Sequence, residues 1–154
     1  MAQPTDPAGS ESRPVPTGAI AILTRLQHAI DAHDLDALVD CFAEDYVNET
    51  PVHPQRGFHG REQVRRNWEQ IFGAIPDINA HVVRATADGD TVWSEWEHRG
   101  TRPDGAGHLM RGIVIFGVVD GRAAWARFYL EPVDDAPGDV NAAVRDHVGA
   151  EAAS

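Results

Sequence analysis

Four runs rich in β-branched and aromatic residues follow one another in the second half of the chain, separated only by turn signals, and this pattern constrains the fold most. Residues 78–86, 91–100, 108–119 and 122–131 are joined by Asp88-Gly89, by Thr101 to Gly107 with its Pro-Asp-Gly core, and by Asp120-Gly121. Asp-Gly suits the backbone of a tight hairpin, so the pattern predicts an antiparallel meander whose register can be counted. A two-residue turn at Asp120-Gly121 pairs Val119 with Arg122, which sets Ile113 opposite Phe128 and Arg111 opposite Leu130. If the longer turn closes symmetrically about Asp104 and Gly105, His98 faces Arg111 and Trp96 faces Ile113. One face then carries Ser94, Trp96, His98, Arg111, Ile113, Ile115, Ala126, Phe128 and Leu130. An apolar wall holding one imidazole and one guanidinium is the composition of a small-molecule pocket.

The same count gives the other face a row of Trp93, Phe116 and Trp125, with Glu95 and Arg127 flanking Val114 and Arg99 and Glu131 flanking Met110. Exposed aromatics with paired charges suit a two-fold interface, so a homodimer through this outer sheet face is expected. Alternation points Tyr129 and Glu131 to this side, away from the pocket.

Helical periodicity fills the first half. Ile20, Leu23, Leu26, Ala29 and Ile30 repeat at helical spacing after Thr17, and Asp34 is placed to cap a second helix burying Leu35, Leu38, Val39 and Phe42. The run Tyr46 to Thr50 alternates like a strand and stops at Pro51; the segment to Gly60 carries two prolines and two glycines and is expected to be loop. A third helix is expected over Arg61 to Ile75, ended by Pro76. Residues 1–17 have almost nothing to bury and read as a flexible tail; 18–133 form the domain, and 134–154 a second tail with a short helix near Asp139 to Val148.

Composition narrows the function. The chain of 154 residues has 24 acidic and 13 basic residues, all of the latter arginine, for a formal charge of −11. That surface repels phosphate backbones and anionic lipid, so neither nucleic acid nor membrane is an expected partner. The lone Cys41 forbids an internal disulfide and any cysteine-rich metal site, and with no signal-like or spanning segment it points to the cytoplasm. His53 and His59 in the Pro/Gly segment match no metal-ligand spacing, so no metal and no organic cofactor is expected.

The element order, together with AHDLDALVDCFAEDY, GREQVRRNW and VVDGRAAWARFYLEP, resembles the SnoaL-like branch of the NTF2-like superfamily over about Thr17 to Val133. The resemblance implies an α+β fold, a cone-shaped barrel with three N-terminal helices packed on a curved, mostly antiparallel sheet around a deep pocket, commonly dimeric. Relatives include isomerases, epoxide hydrolases, cyclases and binding modules, so activity rests on the site. The ketosteroid isomerase base falls at Thr50, its oxyanion tyrosine near Leu26 and its protonated aspartate near Ile115. The tyrosine and asparagine of limonene epoxide hydrolase fall near Asn48 and Thr50, its Arg and Asp pair near Trp96 and His98, and its last aspartate near Phe128. Neither set is present, but the comparison implies that positions 48, 50, 96, 98, 111, 113 and 128 point inward.

His98 is therefore the expected general acid or base, and Arg111 the group that binds a carboxylate or stabilises an enolate, lowering the imidazole pKa as it does so. Asn48, Thr50, Trp96, Ile113, Ile115, Phe128 and Leu130 are the expected substrate contacts. A buried Arg111 needs an anionic partner, either the ligand or a carboxylate such as Glu49 or Asp31. The expected ligand is a mostly apolar small molecule with a carbonyl or carboxylate, transformed by isomerase, cyclase or dehydratase chemistry; the alternative is a binding or dimerisation module without turnover.

Overall fold

A computed structural model describes residues 17–149. The expected tail over residues 1–17 falls almost wholly outside them. The order is a 3-10 turn (Gly18–Ile20), α1 (Ala21–Asp31), α2 (Leu35–Asp40), β1 (Phe42–Glu49), a 3-10 turn (Pro54–Arg56), β2 (Phe58–His59) and α3 (Arg61–Ala74). The meander follows as β3 (Asn79–Asp88), β4 (Thr91–Thr101), β5 (Gly107–Val119) and β6 (Arg122–Pro132), then α4 (Val140–Val148). The six strands form one curved, open sheet in the order β2-β1-β6-β5-β4-β3, with β1 parallel to β6 and all other pairs antiparallel.

Helix α1 buries Ile22, Leu23, Leu26, Ala29 and Ile30 against the concave side of the sheet, where Val92, Trp96, Val114, Phe116 and Ala126 meet them. Each fully buried aliphatic side chain contributes about 1.5–3 kcal/mol. Two α1 side chains also pin the edge strand: Asp31 Oδ1 accepts from the Ala80 amide and Gln27 Oε1 from the Val82 amide, both at 2.8–2.9 Å, just before a bulge in β3. Asp34 caps α2 by accepting from the Ala37 amide, as its position predicts. The Pro/Gly segment expected to be loop is partly ordered: Phe58–His59 pairs with Val47 and Asn48, folding the segment back beside β1. Strand β1 itself begins at Phe42, four residues before the alternating run, so Phe42 is a strand residue and not the end of α2.

The register of the meander differs from the symmetric count in two places. Thr101 pairs with Gly107, so the β4–β5 loop holds five residues, Arg102 to Ala106, closed by Gly105 N–H to Arg102 O and Arg102 N–H to Ala106 O. An odd loop displaces β5 by one residue relative to an even one, and a one-residue slip exchanges its faces. His98 therefore lies opposite Met110, Trp96 opposite Gly112, and Glu97 opposite Arg111. The second departure is a bulge: Val118 pairs with Ala123 but Gly117 with Trp125, leaving Ala124 unpaired. The two displacements cancel for β6, whose Ala126, Phe128 and Leu130 face inward as counted, opposite Phe116, Val114 and Gly112.

Arg111, Ile113 and Ile115 are thus corrected from the inner to the outer face, and Phe116 moves the other way, buried to 2 % exposure. The outer row beside Trp93 is Ile115 and Arg127, not Phe116 and Trp125. Asp139 caps α4 by accepting from the Ala142 amide. Its Val140, Val144 and Val148 are exposed.

Candidate functional site

Alternation along β1 sends Tyr46 and Asn48 to the concave side while Val47 and Glu49 face away, and Thr50 follows before Pro51 ends the strand. The returning segment brings Phe58 edge-on to Tyr46, with ring centroids 6.0 Å apart, and ties down through Gly60 N–H to Tyr46 O at 2.7 Å. Helix α3 contributes Val64, Asn67, Trp68 and Ile71, and the far ends of β5 and β6 supply His108, Met110, Phe128 and Leu130. These groups enclose a cavity of about 460 Å³, whose remaining lining includes Asn48, Thr50, Arg56, His98 and Glu131. A small apolar recess continues inward past His98 between Trp68, Trp96, Phe116 and Phe128.

His98 stands where cavity and recess meet. Only 7 % of its surface is exposed. Its ring lies perpendicular to Trp96 at 5.8 Å and tilted against Trp68 at 6.0 Å. Trp96 is itself locked: its indole N–H donates to Ser94 Oγ at 2.8 Å, and the Ser94 hydroxyl donates to Val114 O at 2.7 Å. No side-chain hydrogen bond to His98 occurs among the described residues, and because no fully buried side-chain nitrogen or oxygen there lacks a partner, its ring nitrogens reach the cavity space that the side chain lines. Burial pulls its pKa down to about 4, with the positive charge of His108 adding to the effect and Asp31 opposing it. The imidazole is consequently neutral at pH 7 and presents one N–H and one bare nitrogen to whatever fills the cavity.

The polar groups on β1 form a short chain. The Tyr46 hydroxyl donates to Asn48 Oδ1 at 2.8 Å, and Asn48 Nδ2 lies 3.4 Å from Thr50 Oγ1. Tyr46 is 1 % exposed, and burial raises its pKa far above that of an ordinary phenol, so it stays protonated. At the mouth, His53 Nε2 lies 3.1 Å from Glu131 Oε1. Arg56 also lines the mouth, without a carboxylate partner among the described residues.

The structure brings Asn48, Thr50, His98, Phe128 and Leu130 together around the cavity and Trp96 around its recess. It does not bring Arg111 there. Arg111 is exposed on the outer face, its Nε donating to Glu97 Oε2 at 2.9 Å, and Glu97 is held below the usual carboxylate pKa by hydrogen bonds from Arg99 and Arg111. Neither carboxylate considered for Arg111 meets it, since Glu49 pairs with Arg127 and Asp31 with the Ala80 amide. Ile113 lines a shallow outer groove with Trp93, and Ile115 is buried on the same side. The expected depression of the His98 pKa is present, but its cause is burial and not a neighbouring guanidinium. Tyr46, Arg56 and His108 escaped the sequence reading; the i, i+2 relation of Tyr46 to Asn48 was the available signal for the first. Among the described residues no group of three or more His, Cys, Asp or Glu is placed to hold a metal ion, and no helix is long and apolar enough to cross a membrane.

The SnoaL-like domain family matches residues 23–127, and the chain belongs to it. No curated protein matches significantly. Among solved structures, a loop-truncated variant of IdmH is 24 % identical, with a TM-score of 0.62 over 73 % of this chain and 92 % of that one. An epoxide hydrolase from Mycobacterium tuberculosis, resembling limonene epoxide hydrolase, is 20 % identical with a TM-score of 0.63, covering 73 % and 82 %. Rv0760c from Mycobacterium tuberculosis, crystallised with estradiol-17β-hemisuccinate, is 18 % identical with a TM-score of 0.62, covering 72 % and 92 %. At these identities the likeness establishes the NTF2-like fold.

Proposed function

We propose that this SnoaL-like chain binds a mostly apolar small molecule bearing a carbonyl or carboxylate and transforms it by acid/base chemistry at His98, as an isomerase, cyclase or dehydratase. The observation that carries this reading is a largely buried imidazole that lines the cavity and has no hydrogen-bond partner among the described residues, so that its ring nitrogens are free for a ligand. With Arg111 outside, the anionic end of a ligand falls to Arg56 at the mouth, and an oxygen deeper in the cavity falls to Asn48 and Thr50. A free-protein pKa of about 4 makes His98 a weak base. An enolate forming beside it would raise that pKa, because an opposite charge favours the imidazolium.

Turnover by this route requires kcat/KM to fall with acid through a pKa near 4 in the free protein, in place of the neutral inflection of an ordinary histidine. A His98→Gln variant that keeps full turnover of an identified substrate would remove His98 from the chemistry. Tight binding without product would establish the alternative, a non-catalytic binding module, which the lack of any carboxylate hydrogen-bonded to His98 among the described residues favours. The exposed Trp93 beside Ile113 on the outer face supports a homodimer through that face, and the buried free Cys41 suits a reducing cytoplasm.

A further inference from the structure

Resting on the reading of the cavity as a ligand site, we infer that Tyr46 is a positioning residue: it fixes the Asn48 amide so that an N–H faces the cavity, and thereby selects ligands that place a bare acceptor oxygen, such as a ketone, at that point. Asparagine is ambiguous by itself, since its amide offers an acceptor from one end and donors from the other, and a half-turn about its last torsion exchanges them. Tyr46 removes the ambiguity. Its hydroxyl is buried at 1 % exposure, and Asn48 Oδ1 at 2.8 Å is its hydrogen-bond partner among the described residues. The opposite amide orientation would leave the phenolic hydrogen buried without an acceptor, which is the expensive way to break a hydrogen bond.

With Oδ1 turned to Tyr46, Nδ2 holds two hydrogens. Thr50 Oγ1 at 3.4 Å takes at most one of them, and weakly. The other is left for the cavity that Asn48 lines, where the side chain is 8 % exposed. A ligand hydroxyl that must donate at this point meets another donor, whereas a carbonyl oxygen meets its complement. Phe58 packed edge-on against Tyr46 and Phe42 at 4.7 Å on its other side hold the phenol in place, so the preference is built into the walls.

The test uses two probes of nearly equal shape, 2-acetylnaphthalene and 2-isopropylnaphthalene, of which only the first carries an acceptor. Wild-type protein should favour the ketone by about three- to tenfold, the value of one hydrogen bond, and should lower the carbonyl stretching frequency of the bound ketone. In Tyr46→Phe the ketone preference should shrink toward one and the carbonyl frequency should rise, while affinity for 2-isopropylnaphthalene is kept, which also reports that the cavity is intact. Asn48→Leu should abolish both signatures by removing the donor itself. An unchanged preference and unchanged frequency in Tyr46→Phe would overturn the inference. So would an unshifted carbonyl on the wild-type protein, an outcome that needs no variant to fold. If the wild type binds neither probe, the ligand-site reading fails first and takes this one with it.

Discussion

Acid should weaken this domain through His98 well before carboxylates begin to protonate. In the unfolded chain the imidazole takes up a proton near pH 6.5, whereas in the fold burial delays uptake to about 4. Between those values the unfolded state binds more protons than the folded one, so stability falls as the pH falls, and the full contribution is present only above pH 6.5. At about 1.4 kcal/mol per pH unit the gap is worth about 2 kcal/mol at pH 5 and about 3 kcal/mol at pH 4, against the 5–15 kcal/mol typical of a whole domain. Other groups titrate as well: Asp40 is held low by Arg122, Asp77 by Thr101 and Glu97 by Arg99 and Arg111, and each begins to lose its contribution only as the pH falls through the ordinary carboxylate values of 3.8 to 4.5. Burial likewise lowers His108. The carboxylates' effects are common to wild type and a His98→Gln variant and cancel in the difference, whereas His108, whose charge acts on His98, leaves a small remainder. Urea unfolding of both proteins at pH 7, 5.5 and 4 reads that difference directly. The variant should lose about 2–3 kcal/mol less than wild type on acidification; parallel pH profiles would show that His98 is not buried in a neutral form.

Four further outcomes follow from the packing. Ser94→Ala strands the buried Trp96 indole N–H and should lower stability by about 1–3 kcal/mol in denaturant titration. Trp96→Phe, which removes that donor, should lessen the further effect of Ser94→Ala in a double-mutant cycle. In Gly112→Ala the new Cβ would overlap the Tyr129 carbonyl oxygen and lie 2.8 Å from Leu130 Cα, so the β5–β6 ladder should separate locally at a cost of about 2 kcal/mol or more, read as a lowered Tm. Light scattering should find a dimer for the wild type and a monomer for Trp93→Glu, which places a charge on the outer face.

The helices, the meander and its turns were legible because hydrophobic period, Pro76 and the Asp-Gly pairs are local signals. Facing was legible only where the registers happened to agree. Ser94, Trp96 and His98 on β4 and Phe128 and Leu130 on β6 were placed correctly, while Arg111, Ile113 and Ile115 between them were reversed. The parity of the Arg102 to Ala106 loop decides this, and Pro-Asp-Gly is compatible with either an even or an odd closure. The bulge at Ala124 that restores β6 follows from backbone geometry with no residue type to announce it. Gly112 is the clue that was present: it lies across from Trp96 and Leu130, where an inward side chain would collide with the neighbouring strand. The Pro/Gly segment hid Arg56 and Phe58 because its return to β1 is a tertiary pairing.

A neutral His98 without a protein hydrogen-bond partner, touched by a ligand, is the centre of the proposed function. Long-range proton–nitrogen NMR of the ring measures both properties at once, in the free protein across pH 7 to 3.5 and after addition of 2-acetylnaphthalene. The ring nitrogens should show the neutral pattern at pH 7, titrate near 4 and shift when the probe binds. A ring already protonated at neutral pH, or nitrogens unmoved by a probe that the cavity holds, would contradict it.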